Sequence, residues 1–145
     1  MKLSLNHISI PVKNIDKALD FYLKYLDFKI KDVSEREQAF SEKVTGIKGM
    51  ILKIAYIYHE QITLELIEYS GDHQFKEQIF SNNYAMNHFC FNIDDILNFY
   101  NQFKLEIDFI NIPTEIFAGP NKGGFMAYFK DFDGNKIELI QKPTM

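Results

Sequence analysis

The sequence predicts an α+β fold, in which two βαβββ modules form a cupped mixed sheet with the helices on the outside. Three observations carry this. Strand and helix periodicities run twice in the order strand, helix, strand, strand, strand. The two halves match in residue type at an offset of 81 positions. Each half also has a histidine in its first strand and a glutamate in its last. Both lie on the face opposite the apolar residues suited to packing on the helix.

In the first half, residues 3–12 alternate as a strand. His7 shares a face with Leu5 and Ser9, and Ile8, Ile10 and Val12 share the other. Asn14 is an N-cap residue type, and Asp16 sits in the first turn, where the helix dipole favours an acid. Ile15, Ala18, Leu19, Tyr22 and Leu26 follow at helical spacing, which predicts a helix over 15–26 with one buried stripe. Residues 28–33 alternate as a second strand, and 34–49 read as a polar, irregular segment. Strands over 50–58 and 62–69 complete the module, joined by a short turn at His59-Glu60-Gln61.

Residues 70–84 carry Gly71, Asp72, Asn82 and Asn83 and read as a linker containing a short helix. The order then restarts. A strand over 86–93 contains His88, and a helix over 94–103 has Ile96, Phe99, Tyr100 and Phe103 as its stripe. A strand over 107–112 precedes a glycine-rich loop at 116–124, and strands over 125–130 and 135–141 close the chain. The expected organisation is a single domain over 1–145: module one at about 1–70, a linker at about 71–84 and module two at about 85–145.

The repeat aligns His7 with His88, Ser9 with Cys90, Ile10 with Phe91 and Ile15 with Ile96. At the far end Leu64-Glu65-Leu66-Ile67 matches Ile137-Glu138-Leu139-Ile140. The unit is too long for a solenoid and reads as a duplication.

Composition narrows the function. A net charge of −4 argues against a nucleic-acid partner. No apolar run approaches the roughly 18 residues that span a bilayer, and the first residues lack a signal-peptide core, so a soluble cytoplasmic protein is expected. The single cysteine, Cys90, excludes an internal disulfide and a cysteine-based zinc cluster. It reads as a small buried filler. Arg36 is the single arginine among 16 basic residues, which leaves few forked donors for a phosphate or carboxylate.

One histidine in a strand is ordinarily a hydrogen-bonded structural residue, and one glutamate near a strand end is ordinarily a solvated edge charge. Here His7, Glu65, His88 and Glu138 repeat in type, position and facing. Two imidazoles and two carboxylates suit one divalent metal ion, whether Zn, Ni, Co, Fe or Mn. Water or two adjacent substrate oxygens would take the remaining positions. His59 and His73 fall in a turn and the linker and read as surface residues. Asp131 and Asp133 read as turn formers.

These stretches resemble the vicinal oxygen chelate superfamily, which includes glyoxalase I, methylmalonyl-CoA epimerase, extradiol dioxygenases, and fosfomycin and bleomycin resistance proteins. The resemblance rests on His7-Ile8-Ser9-Ile10-Pro11-Val12 with Phe21-Tyr22, on Leu64-Glu65-Leu66-Ile67-Glu68-Tyr69, on His88-Phe89-Cys90-Phe91 with Asp94-Asp95-Ile96, and on Asp131-Phe132-Asp133-Gly134-Asn135 before Ile137-Glu138-Leu139. Phe132 departs from the pattern, since a proline is usual in that turn. The resemblance implies paired βαβββ modules of the glyoxalase fold, a homodimer, and a small-molecule substrate. It also implies a mechanism in which the metal chelates two vicinal substrate oxygens and stabilises an enediolate. A carboxylate then shuttles the proton, with Glu138 the first choice of catalytic base and Glu65 the second.

The reading this favours is a metal-dependent lyase or isomerase of glyoxalase I type. An acyl-CoA epimerase would use the same quartet with two bases. An extradiol dioxygenase needs one carboxylate fewer, and a non-catalytic antibiotic-binding resistance protein needs no metal, so the intact quartet argues against both.

Overall fold

The computed structural model describes residues 4–71 and 88–144. The chain divides into two compact units, residues 1–77 and 78–145. The linker expected at 71–84 lies outside the described residues, apart from Gly71, and so does His73.

The first unit contains β1 (Ile8–Val12), α1 (Ile15–Leu26), β2 (Lys29–Arg36), α2 (Gln38–Thr45), β3 (Ile51–His59) and β4 (Ile62–Ser70). Its sheet has the order β1-β4-β3-β2; β1 is parallel to β4, and the other pairs are antiparallel. The second unit contains β5 (Phe89–Asn92), α3 (Ile96–Phe103), β6 (Asp108–Phe109), β7 (Thr114–Glu115), β8 (Phe125–Lys130) and β9 (Lys136–Gln141). Its order is β5-β9-β8-β6, with β7 also paired to β8. Both units follow the βαβββ order with a mixed sheet, the first with α2 added after β2 and the second with the short extra strand β7. The strand carrying the glutamate is central in each, between a parallel and an antiparallel neighbour.

Helix α1 has the predicted bounds. The Asn14 side chain accepts from the Lys17 N–H, and Asp27 closes the helix in the left-handed conformation at φ 53°. The α1 stripe of Ile15, Ala18, Leu19 and Tyr22 is buried, and the helix packs on β3 and β4, whose Ala55, Ile57, Leu64 and Leu66 are also buried. In the second unit Ile96, Phe99 and Phe103 of α3 meet the corresponding face of β8 and β9. The Phe99 and Phe129 rings lie 6.0 Å apart, with Ile137 and Leu139 buried beside them.

Four expectations are corrected. The segment 34–49 is not irregular: β2 continues to Arg36, and α2 follows. Helix α2 escaped the periodicity reading because its one buried residue is Ser41, while Phe40 and Val44 are exposed. Ser41 Oγ donates to the Glu37 carbonyl and accepts the Leu52 N–H, tying α2 to β3. The strand expected at 107–112 shrinks to Asp108–Phe109. Beyond it the Asn111 side chain replaces the backbone as acceptor for the Tyr128 N–H, at 2.8 Å. The first strand begins at Ile8, where pairing with Leu64 starts, so His7 lies just ahead of it. Finally, Cys90 is exposed, because it stands on the face of β5 turned away from the helix.

Candidate metal centre

In both units the same register places the candidate ligands. The parallel ladder sets Ser9 opposite Glu65 and Cys90 opposite Glu138. Each histidine stands two residues before that partner, on the same face and one step along the strand. The imidazole tip therefore reaches diagonally to the carboxylate. His7 Nε2 lies 3.4 Å from Glu65 Oε2, and His88 Nε2 lies 3.0 Å from Glu138 Oε2.

Both glutamates are buried, each 9% exposed. Each lies on a central strand with a neighbour on both sides, so neither is the solvated edge charge that a lone glutamate suggests. His7 Nδ1 lies 2.8 Å from Asn6 Oδ1. An amide oxygen only accepts, so the tautomer that makes this bond carries its ring proton on Nδ1, and in that tautomer Nε2 is the atom with a lone pair for a metal ion.

Sequence reasoning missed a third member in each unit. On the antiparallel side of each glutamate stands a tyrosine: Tyr56 opposite Glu65, and Tyr128 opposite Glu138. Tyr56 OH donates to Glu65 Oε1 at 2.7 Å. That hydrogen bond, and then burial, raise the pKa of Tyr56. Burial, followed by the charge and hydrogen bonding of Glu138, does the same for Tyr128. The tyrosine rings also meet the histidines edge to face, at 5.4 Å for His7–Tyr56 and 5.5 Å for His88–Tyr128. A sequence signal exists: Ala55-Tyr56-Ile57 and Ala127-Tyr128-Phe129 repeat the pattern alanine, tyrosine, apolar residue.

The surroundings differ between the units. Beside Glu65 the face continues into an apolar cluster of Met50, Leu52, Ile54 and Ile67, against which Tyr56 and Tyr69 pack. Beside Glu138 stands Cys90, whose thiol burial and the Glu138 charge push up to about 11. Lys136, two residues before Glu138, sets its Nζ 4.9 Å from the centre of the Tyr128 ring. Asp131 is a turn former as expected: its Oδ1 accepts the N–H groups of Asp133 and Asn135.

The donor pairs fit a divalent ion. Metal–nitrogen and metal–oxygen bonds of about 2.0–2.2 Å, at octahedral to tetrahedral angles, hold two donors roughly 2.9–3.4 Å apart. Both His–Glu separations fall within that span, and as they stand the two contacts are direct His–Glu pairs, a hydrogen bond in the case of His88 and Glu138. Each unit supplies two donors, and no cluster of three or more His, Cys, Asp or Glu side chains is present among the described residues. Among those residues, no helix is long and apolar enough to cross a membrane.

Comparison with known proteins places the chain. The family model described as Glyoxalase/Bleomycin resistance protein/Dioxygenase superfamily matches residues 4–139. An uncharacterised protein of Shewanella frigidimarina (strain NCIMB 400) is 31% identical over 144 residues, 97% of this chain and 95% of that one. Among solved structures, a glyoxalase family protein from Bacillus cereus superposes with a TM-score of 0.82 at 17% identity, covering 99% of this chain and 97% of its own. The fosfomycin resistance protein FosX from Listeria monocytogenes, in complex with Mn(II) and sulfate, superposes with a TM-score of 0.64 at 21% identity, covering 97% and 93%. With a family model that spans nearly its whole length, the chain belongs to the Glyoxalase/Bleomycin resistance protein/Dioxygenase superfamily.

Proposed function

We propose that the protein is a divalent-metal-dependent lyase or isomerase of glyoxalase I type, with His7, Glu65, His88 and Glu138 as metal ligands. The observation that carries this is the duplicated His–Glu pair, set by one register in both units at separations suited to metal donors. When bound, the ion would polarise two adjacent substrate oxygens and spread the charge that builds as the neighbouring C–H is deprotonated. Glu138 takes that proton and returns it to the adjacent carbon, and Glu65 is its counterpart in the other unit. The Asn6 side chain, 2.8 Å from His7 Nδ1, would steady the ring with Nε2 as its ligand atom. The substrate is a small molecule, and the assembly we expect is a homodimer.

A second reading is a non-catalytic antibiotic-binding resistance protein, which sequesters its ligand and needs no metal. Lys136 favours it, as a cation beside Tyr128 on the strand that carries Glu138. The likeness to FosX adds the fold alone.

The test is metal analysis of protein purified without a polyhistidine tag, followed by assays with methylglyoxal hemithioacetals, methylmalonyl-CoA, catechols and fosfomycin. Stoichiometric divalent metal with turnover of a hemithioacetal is the expected result. Bound iron with oxygen uptake on catechols, or metal-free protein that binds a drug tightly, would overturn the reading.

A further inference from the structure

We infer that Tyr56 and Tyr128 are positioning residues, each holding one candidate carboxylate so that a single oxygen faces its histidine; this rests on the metal reading above. The terminal torsion of a glutamate is broad and two-fold, so an unrestrained carboxylate spreads over many orientations. In the first unit the two oxygens are divided. Tyr56 OH donates to Oε1 at 2.7 Å, while Oε2 faces His7 Nε2 at 3.4 Å. Two contacts on opposite oxygens fix the plane of the group. In the second unit Tyr128 takes the same place in the register, opposite Glu138. The edge-to-face contact of each tyrosine with its histidine fixes the imidazole from the same side. In the first unit one tyrosine thus touches both donors of its pair.

Duplication sharpens the point. Ser9 and Cys90 occupy equivalent places beside the two glutamates and differ in chemistry, whereas the tyrosines do not. A phenol that served only to fill space could be any large ring. A ring that donates to a carboxylate, as Tyr56 does, must carry the hydroxyl.

The experiment uses the full chain, stripped of metal and titrated with Mn(II) by calorimetry, with circular dichroism of the metal-free protein as a check on folding. Tyr56→Phe and Tyr128→Phe keep each ring against its histidine and remove only the hydroxyl. Each is expected to weaken Mn(II) binding roughly 10–100-fold, the usual cost of losing a partner of a metal ligand. Placed on a Glu65→Ala background, Tyr56→Phe should have no further effect, because the group it acts through is gone. A merely structural tyrosine would leave Mn(II) affinity unchanged in the folded single variants, or would lower it equally on both backgrounds. Either outcome overturns the inference while leaving the metal reading intact. Wild-type protein that binds none of Mn(II), Fe(II), Co(II), Ni(II) and Zn(II) overturns both. Tyr128→Phe is an independent arm of the test should Tyr56→Phe fail to fold.

Discussion

Glu68 Oε2 accepts the backbone N–H of Ile15 at 2.8 Å, and in the second unit Gln141 Oε1 accepts that of Ile96 at 2.9 Å. Each acceptor lies three residues beyond a candidate glutamate. Each bond fastens the strand that carries the carboxylate to the first turn of the helix that follows the histidine strand. It satisfies one of the donors a helix leaves unpaired at its start. The second unit does this with a neutral amide, so the acceptor oxygen matters more than the charge. Glu68→Gln is expected to shift stability by no more than a few tenths of a kcal/mol, and Glu68→Ala to cost ~0.5–2 kcal/mol. Urea denaturation of the two variants checks this. Equal losses would show that the carboxylate charge carries the effect.

His7→Ala and His88→Ala each remove a nitrogen donor and should weaken metal binding strongly, as elemental analysis after dialysis would show. Glu138→Gln leaves an amide oxygen in place of the carboxylate but cannot accept a proton. It should keep much of its metal and lose ~100–10,000-fold in turnover. Glu65→Gln should cost less in a lyase and a similar amount in an epimerase that uses two bases. Unchanged metal content in all four variants would make the pairs structural.

Cys90 offers a prediction in pH. Although the residue as a whole is exposed, its thiol is partly desolvated on the sheet face; that, and then the Glu138 charge, push it up to about 11 from an ordinary 9.0. The thiolate is the reactive form, so below pH 9 its population should be about 100-fold smaller than that of an ordinary thiol. Alkylation of the metal-stripped protein by iodoacetamide should therefore be slow at neutral pH and still climbing at pH 10. Glu138→Gln should speed it, because the charge that opposes thiolate formation is gone. A rate that levels off near pH 9 would contradict this arrangement.

Leu66 lies beside Glu65 in sequence but faces the opposite side of β4, where it is fully buried. Leu66→Ala should cost ~2–5 kcal/mol of stability through the cavity it opens. Equilibrium unfolding measures this. A loss below 1 kcal/mol would mean that the α1 face of the sheet collapses around the gap.

Much was legible in the residues themselves. Helix α1 could be bounded because its signals are local: a capping Asn14, an acid in the first turn, and an apolar stripe at helical spacing. The two-residue period of a strand gave the facing of His7, Glu65, His88 and Glu138. Duplication then marked these four as two matched pairs, because the same types recur at equivalent places.

The tertiary structure decided what period and propensity do not encode. Which residue stands opposite which is a matter of register, and register depends on how strands far apart in sequence pair. The pairing of Ser9 with Glu65 and of Cys90 with Glu138 brings each histidine tip to its carboxylate. The antiparallel register on the other side brings in Tyr56 and Tyr128, which nothing near either glutamate in the sequence announced. Helix α2 stayed hidden because it is held by a buried hydroxyl instead of an apolar stripe. The sequence by itself determined the residue types and the faces they occupy. Only the fold set the distances between them, because a contact across a ladder is made by two segments whose separation along the chain carries no trace of it.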